Sequence, residues 1–305
     1  RETCSIRKGD VFITRTSETM DELGMSSVAL KDYPNATYNG FTKRLRPLTD
    51  EVIPEYIGYY LRSPKFRGKF MAFSTMTTRA SLANDDLLSM EVELPDKITQ
   101  QRIATILSRY DSLIENYQKQ IKLLEEAAQR LYKEWFIDLR FPGHENTKIV
   151  DGVPEGWEKK KVGDIIEFYD KLRKPLSSTQ RANMDKIYPY YGAASLMDYV
   201  DNYIFDGIYL LFGEDGTVIT SDNTPVLQYV WGKFWVNNHA HVLRGKSNIS
   251  TEFLYAMFKD MPIADIVTGA AQPKISQGRL SEKKVLVPPI KLILKWTNIA
   301  VPFFY

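Results

Sequence analysis

The chain has 305 residues, 44% of them hydrophobic and 26% charged, with a formal net charge of +2. That is ordinary globular composition, long enough for two domains with cores of their own. Its single cysteine, Cys4, excludes a disulfide framework and a cysteine-based zinc cluster. No apolar run reaches the ~18–20 residues of a bilayer span, and the first residues carry no signal-peptide pattern, so a reducing cytoplasm is the expected home. The opening Arg1-Glu2-Thr3 lacks an initiator methionine, as expected of a sequence that begins inside a longer one.

In chain order, Asp10 to Thr14 reads as a strand, and Pro54 opens a helix that packs Tyr56, Ile57 and Tyr60. Met90 to Leu94 alternates apolar and acidic residues with period two, which predicts a half-buried strand closed by Pro95. From Thr99 to about Ile137 the period changes. Apolar or small residues fall at Ile106, Tyr110, Leu113, Tyr117, Ile121, Leu124, Ala128, Leu131 and Trp135, a heptad seam with one stutter near Tyr117. No Gly or Pro interrupts it before Pro142-Gly143, and ~39 helical residues make a rod of roughly 58 Å. A helix with one apolar stripe needs a second helix, and none is predicted in this chain. Val153-Pro-Glu-Gly-Trp157 opens the next module, and residues 291–305 show no heptad.

The chain also repeats itself around that helix. Val11-Phe12 aligns with Ile208-Tyr209, Tyr38-Asn39 with Val236-Asn237, and Tyr56-Ile57 with Phe253-Leu254. Ser81-Leu82 aligns with Lys274-Ile275, Leu87 with Leu280, and Pro95 with Pro288, at offsets between 193 and 198 residues. Two diverged copies of one module are present, too long to be solenoid units. Two modules on a rod suit an extended polymer touched at two places. The second copy has a lead-in, residues 151–197, that the first lacks. That lead-in is expected to supply strands pairing with the Ile208–Phe212 strand, which would leave Val11–Thr14 with an open edge and make residues 1–97 less stable, or dependent on a second polypeptide.

Charge is segregated. Tyr56 to Asn84 holds Arg62, Lys65, Arg67, Lys69 and Arg79 without an acid, and Lys171 to Met184 holds Lys171, Arg173, Lys174 and Arg181 without an acid. Stretches of this kind suit phosphate contacts on one face. Catalysis is not legible. No Asn/Asp-Pro-Pro-Tyr motif exists, and Gly245-Lys246-Ser247 lacks the glycine a phosphate loop needs, Ala240 standing there. His239 and His241, two apart on an expected strand, could reach a metal with Glu214 or Asp215, but no third ligand is spaced convincingly, and the first copy has Phe41 and Lys43 in their place. Neither a catalytic residue nor a cofactor or metal site is expected.

Several segments resemble the specificity subunit of type I restriction-modification enzymes. Pro95 to Leu107 (PDKITQQRIATIL) resembles the passage from a target-recognition domain into a helix, and Leu131 to Phe141 (LYKEWFIDLRF) the central region. Val153 to Val162, Tyr188 to Ala193, Gly213-Glu-Asp-Gly216 and Gly232 to Val242 are similar to a second recognition domain. The resemblance implies an α+β fold of duplicated mixed α/β target-recognition domains joined by a long coiled-coil-forming helix. Its parts would be residues 1–97, the end of a first recognition domain; 98–150, the helix and linker; 151–290, a second recognition domain; and 291–305, a divergent tail. It also implies a non-catalytic reader of double-stranded DNA, each domain taking half of a split target. The helix would set the gap and dock methyltransferase subunits, joined by a restriction-translocase subunit and by a second specificity chain through the helix.

Reading base edges requires bidentate polar groups. The candidate contacts are Arg15, Thr16, Thr78 and Arg79 in the first copy. In the second they are Lys171, Arg173, Lys174, Arg181, Tyr191, Glu214, Asp215, His239, His241, Gln272 and Lys274. Two other functions fit the same sequence: the reading region of a single-chain restriction-methylation enzyme, and a helical scaffold that binds no DNA.

Overall fold

The computed structural model describes residues 5–18, 22–72, 75–76, 80–269 and 271–304. It divides into two compact units, Arg1–Gln118 and Lys119–Tyr305. The first runs β1 (Val11–Thr14), β2 (Thr16–Ser17), β3 (Ser26–Val28), β4 (Thr42–Leu45), α1 (Pro54–Arg62), α2 (Pro64–Ala72), β5 (Thr75–Met76), β6 (Ala80–Ser81) and α3 (Asn84–Ser89). The long helix α4 (Lys97–Tyr132) follows.

In the first unit β1 lies between β3 and β4, antiparallel to both, with Val11 opposite Val28 on one side and Leu45 on the other. Val11 and Ile13 point into a core with Leu23, Ile57, Leu61, Phe66, Phe70 and Leu82. Pro54 sits in the first turn of α1, where its missing N–H has no intrahelical partner to lose. Packing of α1 on β3 requires Gly58, because a β-carbon there would meet Val28 Cγ2 at 2.4 Å. Ser26 Oγ donates to the Gly58 carbonyl across the same approach, 3.1 Å.

The second unit runs β7 (Ile149–Val150), β8 (Val153–Pro154), β9 (Glu158–Lys161), α5 (Val162–Ile165), β10 (Ile166–Phe168), α6 (Ser178–Ala182), β11 (Tyr188–Tyr191), β12 (Leu196–Val200) and β13 (Phe205–Asp206). It continues through β14 (Tyr209–Gly213), β15 (Leu227–Val230), β16 (Lys233–Val236), β17 (Ala240–Gly245), α7 (Thr251–Lys259), α8 (Gln277–Glu282), β18 (Lys284–Val287) and α9 (Ile290–Ala300). One sheet has the order β10-β17-β14-β15 and another β12-β11-β16-β13, while β18 pairs with β9. Phe205, Phe234 and Val242 are buried in one cluster of this unit, and Phe212 and Phe258 in another that includes residues of α7 and α9.

The triplet β15-β14-β17 repeats β3-β1-β4, so the duplication is structural. Contrary to expectation, the lead-in does not pair with β14 but adds β10 to the outer side of β17. Consequently β1 is flanked on both sides, and among the described residues it is the outer side of β4 that carries no strand. The strand expected at Met90–Leu94 is also absent: Glu91 to Asp96 are irregular, with Val92 and Leu94 exposed. Its counterpart β18 exists because β9 of the lead-in pairs with it, Val285 opposite Lys160. Alternation alone does not make a strand when no partner strand is supplied.

Helix α4 begins where the sequence places it and passes at Lys133–Ile137 into a π turn. In the first unit, buried Gln100 accepts from Ile53 N (2.9 Å) and donates to the carbonyls of Glu51 and Pro95. The seam then separates into two stretches. Ile106, Tyr110, Leu113, Tyr117, Ile121 and Leu124 are exposed, whereas Ala128 and Trp135 are buried. The final turns find a helix in this same chain, contrary to expectation: in the second unit Tyr132 and Phe136 stack edgewise and tilted on Trp296 of α9, at 6.0 and 6.3 Å. That helix starts 193 residues after the start of α4, at the equivalent point of the repeat. Among the described residues no helix is long and apolar enough to cross a membrane.

Candidate nucleic-acid interface

In the second unit three backbone segments meet just beyond β14. Glu214 N donates to the His239 carbonyl at 2.8 Å, and Ile275 N donates to the Glu214 carbonyl at 2.9 Å. Asp215 and Thr268 each bridge Lys274. Residues 268–274 turn back at Gly269, whose φ of +83° suits glycine and whose β-carbon would lie 2.3 Å from the Gln272 carbonyl. The result brings Asp215, His239, Gln272 and Lys274 together. Gln272 Nε2 donates to Asp215 Oδ1 at 2.9 Å, His239 Nδ1 lies 3.7 Å from Asp215 Oδ2, and Lys274 Nζ lies 3.9 Å from Glu214 Oε1. Gln272, Lys274 and His239 are exposed, and Asp215 is half-buried.

Beneath this cluster is a closed ionic network. His241 is wholly buried, with Nδ1 2.6 Å from Asp170 Oδ2 and Nε2 2.8 Å from the Ile275 carbonyl. Val242 N and Gln277 Nε2 also donate to Asp170. Arg173 Nη1 donates to Glu214 Oε2 and to the Ala240 carbonyl, both at 2.6 Å. Burial opposes the charge on Asp170, yet the hydrogen bonds from His241, Gln277 and Val242 hold its carboxyl below the usual range. Asp170, Glu214 and His241 bring one donor atom each within 4.8 Å of one another, a spacing a metal ion could use. However, the ring nitrogen and the Asp170 carboxylate touch each other directly, and Arg173 pairs with both carboxylates, so the donor set is spent. His239 and His241 do not share a face. Strand β17 starts only at Ala240, so the two-residue alternation does not reach back to His239.

The first unit builds the same backbone frame with other side chains. Arg15 N donates to the Phe41 carbonyl (2.8 Å), Leu82 N to the Arg15 carbonyl (3.2 Å), and Thr16 and Thr75 both lie opposite Ser81. Lys43 Nζ donates to the Leu82 carbonyl at 3.2 Å, the place His241 takes against Ile275. Thus Arg15 stands for Glu214, Thr16 for Asp215, Phe41 for His239, Lys43 for His241 and Ser81 for Lys274. Offsets are 199 residues at the first two positions, 198 at the next two and 193 at the last. The strand offset read from the apolar pattern was 197, and the two-residue difference leaves every side chain on the same sheet face. Arg15 is exposed. Burial and neighbouring Arg15 hold the Lys43 ammonium below the ordinary lysine range, against Asp85 and Asp86. Thr78 and Arg79 lie outside the described residues; by the same offset Arg79 corresponds to Gln272.

The remaining candidates are scattered. Lys171 and Lys174 are exposed. Arg181 is held by Asp198 (3.0 Å), the Leu176 carbonyl and the face of Tyr190, and Tyr191 sets its ring against Phe234. In the first unit's basic stretch Lys65 and Lys69 pair with Glu93, at 2.5 and 3.8 Å. Sequence reasoning missed Asp170 and Gln277, which lie 71 and 36 residues from His241 and carry no local motif.

The sequence pattern of the type I restriction modification DNA specificity domain matches residues 1–126 and 154–292. The MjaIX specificity subunit of Methanocaldococcus jannaschii is 26% identical, the match covering 99% of this chain and 73% of that one. A putative type I specificity subunit of Haemophilus influenzae is 30% identical over 48% of this chain and 36% of its own length. The crystal structure of a type I S subunit from M. genitalium superposes with a TM-score of 0.55 at 19% identity, covering 99% of this chain and 77% of that one, and so shares the fold. With its family pattern spanning both units, the chain belongs to the type I restriction-modification DNA specificity family.

Proposed function

We propose that the loop cluster at each unit's sheet end is a DNA-reading face, each taking one half of a bipartite target in a type I restriction-modification complex. The observation that carries this reading is the pair of matching backbone frames holding different polar side chains. A shared frame with Arg15 and Thr16 on one copy and Asp215, Gln272 and Lys274 on the other presents two different donor-acceptor patterns, as unlike half-sites require. Exposed Lys171 and Lys174 suit phosphate contacts, which position a reader without specifying sequence. Arg173 and His241, with their polar atoms engaged inside the protein, support the loops rather than touch bases. Residues 1–97 and 151–290 serve as recognition domains, and 98–150 as helix and linker, with 291–305 a divergent tail that holds most of α9. The exposed seam from Ile106 to Leu124 is the docking face for methyltransferase subunits or a second specificity chain, with a restriction-translocase subunit joining through them.

The test is selection of duplexes from a random pool by the chain together with its methyltransferase subunit. Gln272→Ala and Lys274→Ala should relax bases in one half of the selected site, and Arg15→Ala and Thr16→Ala in the other, each lost bidentate pair costing about 1–3 kcal/mol. Lys171→Ala and Lys174→Ala should weaken all duplexes alike and lower the salt slope by about one unit per contact. Both loop sets acting on the same half, or neither changing the selected sequence, would remove the reading.

A further inference from the structure

We infer that Lys43 and His241 are equivalent positioning cations, each clamping the reading loop of its unit to the sheet through one main-chain carbonyl. The clamp is therefore proton-dependent in the second unit and permanent in the first. This rests on the reading of those loops given above. Each side chain rises from the same strand of the repeated triplet, β4 in one unit and β17 in the other, and donates to the residue that closes the loop: Leu82 or Ile275. That closing residue also sends its own N–H to the turn after the central strand, Arg15 or Glu214. One cation therefore ties together all three segments that carry the proposed contacts.

The two clamps differ in chemistry. A lysine ammonium donates from a single charged nitrogen, whereas an imidazole donates from both ring nitrogens only while it carries a second hydrogen. Both atoms facing His241 are acceptors, a carboxylate oxygen of Asp170 and the Ile275 carbonyl, so holding both bonds takes a hydrogen on each ring nitrogen. The groups around the ring come from every neighbouring element. Asp170 and Arg173 come from the turn after β10, Glu214 from the turn after β14, Lys274 from the loop, Gln277 from α8, and the Phe168 ring from β10. Protonated, His241 and Arg173 balance Asp170 and Glu214; deprotonated, the ring must release either the carbonyl or the carboxylate and leaves a buried negative excess. Around Lys43 the charged neighbours are Arg15, Asp85 and Asp86.

Hydrogen exchange on the full chain tests this, read at the amides of Lys274, Ile275 and Leu82 after correction for the intrinsic pH dependence. In the unaltered chain, protection at 274 and 275 should fall about tenfold once rising pH removes the second ring hydrogen, as expected for losing one charged hydrogen bond, while protection at 82 stays level. H241K should keep the loop protected and make it indifferent to pH. H241L should loosen it at every pH, and K43H should carry the pH dependence over to Leu82. If H241L does not fold, H241K and K43H still decide the matter. Level protection at 274 and 275 in the unaltered chain, or an H241K loop as loose as that of H241L, overturns the inference. The second arm uses duplexes selected by the unaltered chain. A loop that loosens while the selected sequence stays unchanged keeps the clamp and removes the DNA reading; a loop that stays closed while Gln272→Ala alters selection does the reverse.

Discussion

The two units share a three-stranded centre, β3-β1-β4 in one and β15-β14-β17 in the other, and part company at its margins. In the second unit β10 covers the outer side of β17, and β9 pairs with β18; in the first, among the described residues, β4 has no such neighbour and Glu91–Asp96 stay irregular. The local patterns run the other way. Met-Glu-Val-Glu-Leu alternates more cleanly than Lys-Val-Leu-Val, yet only the second is a strand. Strand formation here is decided by a partner far away in sequence, with β propensity a secondary influence. Charge follows the same division. The second unit buries a four-membered ionic network at its loop frame, while the first uses one half-buried lysine.

The sharpest way to break this contrast is to empty the second unit's core at α9. Trp296 is fully buried among Tyr132, Phe136 and Phe253, so Trp296→Ala should cost about 4 kcal/mol there and nothing in the first unit. All five tryptophans lie between positions 135 and 296, so denaturant unfolding followed by tryptophan fluorescence reports the second unit alone. Asp170→Ala comes next, at about 3 kcal/mol, since it leaves buried His241 without the carboxylate 2.6 Å from its ring. Lys43→Ala should cost about 1 kcal/mol in the first unit. The Asp170 carboxyl is held below its usual range in the folded chain, so its contribution is full above the unfolded value near ~3.9 and is lost as pH falls through the lower folded value. Acid unfolding of the second unit should therefore move to higher pH in Asp170→Ala; no movement would mean that the network carries no net stability.

Exchange rates sharpen the contrast without mutation. The hydrogen-bonded amides of β18 should exchange ~100-fold more slowly than those of residues 91–94, and equal rates would show that the first unit does form this strand. The smallest effect is expected on α4. Tyr117→Glu and Ile121→Glu should change unfolding free energy by under about 0.5 kcal/mol, because both side chains are already solvated, while abolishing any association through that face measured by sedimentation.

How much of this was readable beforehand divides along physical lines. The duplication was legible because strand and helix interiors keep their apolar residues, as at Tyr56 and Phe253, although Val11 aligns with Ile208 in the apolar pattern and with Leu210 in the frame. The long helix was legible from its heptads, and the loops bearing Asp215, Gln272 and Lys274 from their glycines and polar character. What stayed hidden depended on contacts that no window contains. Burial of the last α4 turns needed α9, more than 150 residues away in the chain. The π turn at Lys133–Ile137, which buries the adjacent Trp135 and Phe136 together, breaks the heptad count by a geometry the pattern does not encode. Asp170 gave no signal because its meaning comes entirely from His241, Val242 and Gln277.

The loop frames have a consequence for how such a protein can change its target. Every bond common to the two frames, apart from the lysine or histidine clamp, joins one main-chain group to another. The atoms that hold the loop closed are therefore not the atoms that would face a base. Substitution at positions 16, 215, 272 or 274 alters what is displayed without withdrawing a single hydrogen bond from the frame. Mutational drift at these positions meets little resistance from folding, so under the proposed reading each face would change its preference independently of the other. A lineage under pressure to recognise new sites could explore many side chains there on a scaffold that stays folded.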